Sequence, residues 1–216
     1  MLAPVTSPSS SGQVGPAEAW QRLADGNQRF VSDQSRHPNQ DAARRTALVN
    51  AQHPFAVIFG CADSRLAAEI IFDVGLGDVF VVRTAGQVID DAVLGSLEYS
   101  VAVLSVPLIV VLGHDSCGAV TATRDAVESG EMPPGFIRDL VERITPSVLT
   151  AKREGNDDLT AMIDEHVRQT STRLAESSRV IADAIDAGRT AVVGVSYGLE
   201  DGTASVVSTT MPLTAG

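Results

Sequence analysis

Residues 108–118 read LIVVLGHDSCG: five apolar residues and a glycine, then a histidine, an acid, a serine and a cysteine. An unbroken apolar run of this length, closed by glycine and polar residues, predicts a strand covered on both faces, as strands of parallel sheets are. Phe55 to Gly60, Val79 to Arg83 and Ala191 to Ser196 have the same character, and helical spacing fills the stretches between them. The alternation predicts an α/β fold with a mostly parallel four-stranded β-sheet flanked by helices. A fifth run, Ala204 to Ser208, follows the turn-forming GLEDG at 198–202 and is expected to lie antiparallel at an edge. Residues 119–187 are mostly helical in pattern, with breaks at Met132-Pro133-Pro134-Gly135 and Glu154-Gly155-Asn156-Asp157. Val101 to Leu112 reads as a core strand with its approach; interrupted by Ser105 and Pro107, it is too short to cross a bilayer.

Outside this region, residues 1–16 are rich in Ser, Pro and Gly and read as a flexible tail, leaving 17–216 as a single domain. Trp20, Leu23, Phe30 and Val31 mark one face of an N-terminal helix or helix pair, with Pro16 in the first turn. That face needs a cover, either a second subunit or its own domain. A net charge of −11, a pI near 4.7 and 4% aromatic residues argue against nucleic acid, which asks for a basic surface and stacking rings. No Lys or Arg precedes Arg22, so neither a signal peptide nor a basic membrane arm is expected, and the cytoplasm is the expected location.

Parallel strands deliver their functional groups to one edge of the sheet, beyond their carboxyl ends. The first strand ends in CADSR, residues 61–65, and the third in His114 and Cys117, so Cys61, Asp63, Arg65, His114 and Cys117 are expected to meet. Two thiolates and an imidazole suit Zn²⁺, and three protein ligands leave a fourth position open for chemistry. If Cys117 stands at the N-terminus of the helix that Gly118 opens, the peptide dipoles are expected to lower its pKa. Three other readings stay open at this level: small core cysteines, a disulfide between Cys61 and Cys117, and a thiol nucleophile paired with His114. The serine of HDSCG lacks a glycine two positions ahead, so the nucleophile elbow of serine hydrolases is absent.

CADSR followed by GHDSCGAV resembles the β-class carbonic anhydrases, whose signatures are Cys-x-Asp-x-Arg and His-x-x-Cys-Gly; the likeness runs over roughly residues 17–210. The resemblance implies one Zn²⁺ per subunit on Cys61, His114 and Cys117, an Asp63–Arg65 dyad that orients a zinc-bound hydroxide, and reversible hydration of CO2 to bicarbonate and a proton. It implies a substrate pocket with Gln52, nine residues before Cys61, together with Phe80, Tyr99 and Gly118, and a homodimer or homotetramer in which the N-terminal helices embrace the neighbour. Ile58, where a bicarbonate-regulated branch has Trp, and the presence of Gln52 point to the unregulated, open-site branch. Thr84 stands where the family often has Asn, which leaves the hydrogen bonding there to be found. Rivals on the same fold are hydrolysis of CS2 and a structural-zinc or bicarbonate-sensing module whose fourth position Asp63 fills permanently. The proton route is not legible; His37, His53, His166 and Glu98 are candidates with ordinary structural readings beside them.

Overall fold

The structure, a computed structural model, describes residues 14–212; the tail expected over 1–16 falls almost wholly outside them. The elements run α1 (Pro16–Val31), α2 (Ala42–Ala47), β1 (Ala56–Cys61), α3 (Ala68–Ile71), β2 (Val79–Thr84), a 3-10 turn (Ala85–Gln87), α4 (Asp91–Ala102), β3 (Leu108–His114), α5 (Gly118–Ser129), α6 (Ile137–Arg153), α7 (Leu159–Ser177), α8 (Arg179–Asp186), β4 (Ala191–Tyr197) and β5 (Ala204–Thr209). The five strands form one sheet in the order β2-β1-β3-β4-β5, parallel except for β5, which runs antiparallel on β4. The fold class read from the strands therefore holds.

Alternation along the central strands splits the core in two. Leu108, Val110 and Leu112 of β3 face a cluster containing Ile58, Phe72, Ile144 and Val148, while Ile109 and Val111 face Val57, Phe59, Leu97 and Leu174. Both layers are buried, which is why β1 and β3 are apolar throughout rather than alternating with polar residues. Val101 belongs to the last turn of α4 and not to the approach of a strand: the helix capped by Asp90, whose side chain accepts from Val93 N, runs on until Ala102. The helical region breaks where proline and glycine clusters require it, and again at Ser178, whose hydroxyl caps α8.

α1 uses its inward face on its own domain. Ala19, Leu23, Gly26 and Asn27 are buried, and Asn27 donates to the carbonyls of Ile71 and Gly202 while accepting from Ala204 N. Gly26 allows the close approach, since a Cβ there would sit 1.8 Å from the Phe72 carbonyl oxygen. Packing of α1 on a neighbour would have to employ its outer face. No helix among the described residues is long and apolar enough to cross a membrane.

Candidate metal centre

β1 and β3 are adjacent and parallel, with Gly60 opposite Leu112, so their carboxyl ends lie side by side. Cys61 closes β1, His114 closes β3, and Cys117 is the residue from which α5 starts. All three are buried, and their ligand atoms lie within 4.8 Å of one another. His114 has no exposed surface, yet neither ring nitrogen has a hydrogen-bond partner among the described residues. A buried unpaired imidazole costs free energy unless another group engages it.

The sulfurs point the same way. Cys61 is drawn down to about 4, first by the thiol of Cys117 and further by His114 and the amides of Asp63 and Gly86, against burial, which raises it. Cys117 is pushed up, chiefly by Cys61 beside it and by burial. The amides of Val120 and Ala119 at the start of α5 pull it down, as the sequence leads one to expect, but the neighbouring sulfur outweighs them. The expectation of a lowered Cys117 pKa is thus corrected for the metal-free chain. A divalent cation supplies the charge needed to ionise both sulfurs, and it takes up the orphaned imidazole. The residues present therefore fit a Zn²⁺ ion, and both cysteines are free rather than joined.

Asp63 stands outside this trio, with Oδ2 3.9 Å from His114 Nε2. Arg65 grips the carboxylate with both arms of its fork, Nε to Oδ1 at 2.9 Å and Nη2 to Oδ2 at 2.7 Å, and its own backbone N–H reaches Oδ1 at 2.9 Å. The guanidinium holds Asp63 well below the usual carboxylate range, so it is ionised at any physiological pH. Arg83, which the sequence presents merely as the charged end of an apolar strand, ties the loop from behind. Its Nε donates to the Cys61 carbonyl at 3.0 Å and its Nη2 to the Asp63 carbonyl. Thr84 closes the turn below by donating to the Val88 carbonyl at 2.8 Å, which answers what replaces asparagine there.

The remaining sequence candidates fall in several places. Gln52 is exposed and lines a cleft of about 490 Å³ with Arg45, Leu48, Val49, Leu76 and Gly77. Phe80 and Tyr99 pair at a centroid distance of 6.3 Å, and Phe80 packs on the layer of Val57 and Phe59, whereas Cys61 and Cys117 belong to the other layer. Gly118 opens α5 beside Cys117, and a Cβ there would meet only open space. His166 is buried at 3% exposure and held near 4 by burial, so it does not face buffer. Glu98 accepts from Ser178 Oγ at 2.6 Å, while His53 is exposed and the backbone N–H of His37 donates to Asp73.

A mostly parallel α/β sheet carrying a Cys₂His trio at adjacent strand tips, with an ionised Asp beside it, is a fold and donor set suited to a metal-dependent enzyme. The family model described as carbonic anhydrase matches residues 56–204. A carbonic anhydrase of Mycolicibacterium smegmatis is 57% identical over 187 residues, spanning 87% of this chain and 91% of that protein. Carbonic anhydrase 2 of Mycobacterium tuberculosis is 56% identical over 191 residues, with 88% and 92% covered. The solved β-carbonic anhydrase CcaA superposes with a TM-score of 0.68 at 25% identity, covering 87% of this chain and 86% of that one. The chain belongs to the carbonic anhydrase family, in its β class.

Proposed function

We propose that this chain catalyses the reversible hydration of CO2 to bicarbonate and a proton with one Zn²⁺ held by Cys61, His114 and Cys117. The observation that carries the reading is the buried trio, with its unpartnered imidazole, next to a carboxylate that Arg65 holds in a bidentate grip. When bound, zinc supplies the Lewis acidity that makes water a nucleophile near neutral pH. Asp63 Oδ2 would accept a hydrogen bond from the attacking water or hydroxide and so orient that oxygen's remaining lone pair toward the carbon of CO2. Arg65, which grips both carboxylate oxygens, would keep Asp63 turned toward that task and off the metal. Arg83 fixes the backbone of Cys61 and Asp63 together, so ligand and orienting group move as one body. The fork on Asp63 also speaks against a permanently closed sensing module, which has no use for a residue that holds the carboxylate off.

In this reading Gln52, Phe80, Tyr99 and Gly118 bind the substrate. Because Phe80 lies on the opposite layer from Cys61, the ring pair serves the site of a second copy, and the free outer edge of β2 is the natural place for a homodimer to form. A reducing compartment such as the cytoplasm keeps both sulfurs available. Stopped-flow CO2 hydration from neutral to alkaline pH, with metal analysis and sedimentation of the same sample, tests the proposal. Stoichiometric zinc with turnover in a dimer is expected; a zinc-loaded dimer without hydration activity overturns it.

A further inference from the structure

Behind the metal centre, one buried histidine is left without a role. His166, on α7, reaches across to the 3-10 turn that follows β2, and its Nε2 lies 2.8 Å from the Gly86 carbonyl oxygen. A carbonyl can only accept, so Nε2 carries the proton; burial keeps the ring neutral, and Nδ1 is therefore an acceptor. Ser147 Oγ stands 3.0 Å from that Nδ1 and 3.1 Å from Gln169 Oε1, with one proton to give. The ring is thus held to Gly86 through Nε2, while at Nδ1 it competes with Gln169 Oε1 for the one Ser147 proton.

Gly86 is the residue whose N–H donates to the Cys61 sulfur at 3.2 Å. It sits at φ +65 and ψ 24, and a Cβ would press on Ala119 Cβ at 2.8 Å and Ile144 Cδ1 at 2.9 Å. The left-handed conformation is what turns its N–H toward the sulfur while its carbonyl faces α7. Three amino acids are therefore linked in series, from α7 through the turn to the end of β1. A hydrogen bond to a metal-bound thiolate withdraws charge from the sulfur and leaves the metal more acidic, an effect of the kind that tunes metal–sulfur sites generally. A site with two thiolate ligands has most need of it, since thiolates donate more charge than imidazoles do.

We propose that His166 is a positioning residue: by holding the Gly86 carbonyl it keeps the Gly86 amide on the Cys61 sulfur, and so limits the charge that this thiolate passes to the metal. The inference rests on the metal reading given above and extends it to a residue that touches neither metal nor substrate.

The test loads the full chain with Co²⁺ in place of zinc, because the sulfur-to-cobalt charge-transfer band reports the electron density on the thiolates. In His166→Phe the band moves to longer wavelength, and Co²⁺ passes to a chelator at least about 10-fold faster, the scale seen when outer partners of metal ligands are removed. His166→Gln, whose amide nitrogen can reach the place of Nε2, returns both readouts toward the parent. A folded His166→Phe protein with a lower melting temperature but an unmoved band and release rate overturns the proposal, as do equal shifts in the Phe and Gln variants. Should His166→Phe fail to fold, His166→Leu, which is smaller and likewise offers no donor to the Gly86 carbonyl, is read instead: a shift in the same direction supports the proposal and an unmoved band overturns it. A parent chain with no thiolate–cobalt band overturns the metal reading itself, which separates the two failures.

Discussion

Gly86→Ala perturbs the candidate metal centre from behind, and the size of its effect follows from two features of the structure. The residue lies at φ +65, where a Cβ costs about 1–2 kcal/mol. The new methyl would also stand 2.8 Å from Ala119 Cβ and 2.9 Å from Ile144 Cδ1, inside a packed layer where overfilling costs about 1–3 kcal/mol. Reduced freedom of the unfolded chain returns about 0.4–1 kcal/mol. The net loss is about 1–4.5 kcal/mol, which for a chain of this size lowers the melting temperature by about 2–4 °C per kcal/mol. Calorimetry of the metal-free protein measures this without the added stability that a bound ion confers. Because Ile144 Cδ1 is the end of a side chain, Gly86→Ala combined with Ile144→Val should recover part of the loss, a favourable coupling in a double-mutant cycle. Ala119 is fixed on α5 two residues after Cys117, so the remaining strain moves a metal ligand and weakens zinc retention. A Gly86→Ala protein that melts with the parent and holds zinc equally well would refute the reasoning.

Arg65→Ala removes both arms of the grip on Asp63 while leaving the backbone N–H to Oδ1. CO2 hydration at pH 7.5 is expected to fall by about 10- to 100-fold with zinc still bound, and Arg65→Lys, which restores charge but not the fork, should recover only part. Full activity in the alanine variant would remove Arg65 from the mechanism. Away from the site, buried Asp73 accepts from Arg29 Nε at 2.6 Å and from the backbone N–H groups of Arg36 and His37, and despite its burial these partners hold its pKa below the usual value. A lowered carboxylate stabilises above its unfolded pKa, near 3.9, and loses that contribution as pH falls through the folded value. Asp73→Asn should therefore cost about 1.5–3 kcal/mol at neutral pH in urea unfolding, with the gap from the parent narrowing as the solution is acidified below about pH 4. A gap that stays constant with pH would show that charge at Asp73 is not what ties α1 to the turn after α3.

The strands were legible because burial on both faces leaves a sequence mark, an unbroken apolar run, and the clustering of the candidate ligands was legible because parallel strands must end on the same edge. Cys61, His114 and Cys117 could thus be brought together on paper, with Asp63 and Arg65 beside them through a spacing of two. Residues far apart in the chain that meet through a helix crossing leave no such mark. His166 and Gly86 are 80 positions apart and touch because α7 packs across β3, which neighbours the 3-10 turn; in sequence the histidine is one polar residue on a helix face. The same holds for Arg83, whose grip on the Cys61 and Asp63 carbonyls depends on strand register, and for Asn27, whose partners lie 44 and 175 positions away. The face read for α1 was only partly right: Leu23 is buried and Trp20 and Phe30 are partly so, but Val31 is exposed while Ala19, Gly26 and Asn27 take the inward positions, because periodicity says that a face must be buried and never against what. The sequence alone determined the layers and the meeting of Cys61, His114 and Cys117, which follow from local pattern and strand direction. Tertiary packing decided which buried groups stand behind those ligands, since hydrogen bonds across separate elements depend on the relative placement of whole helices.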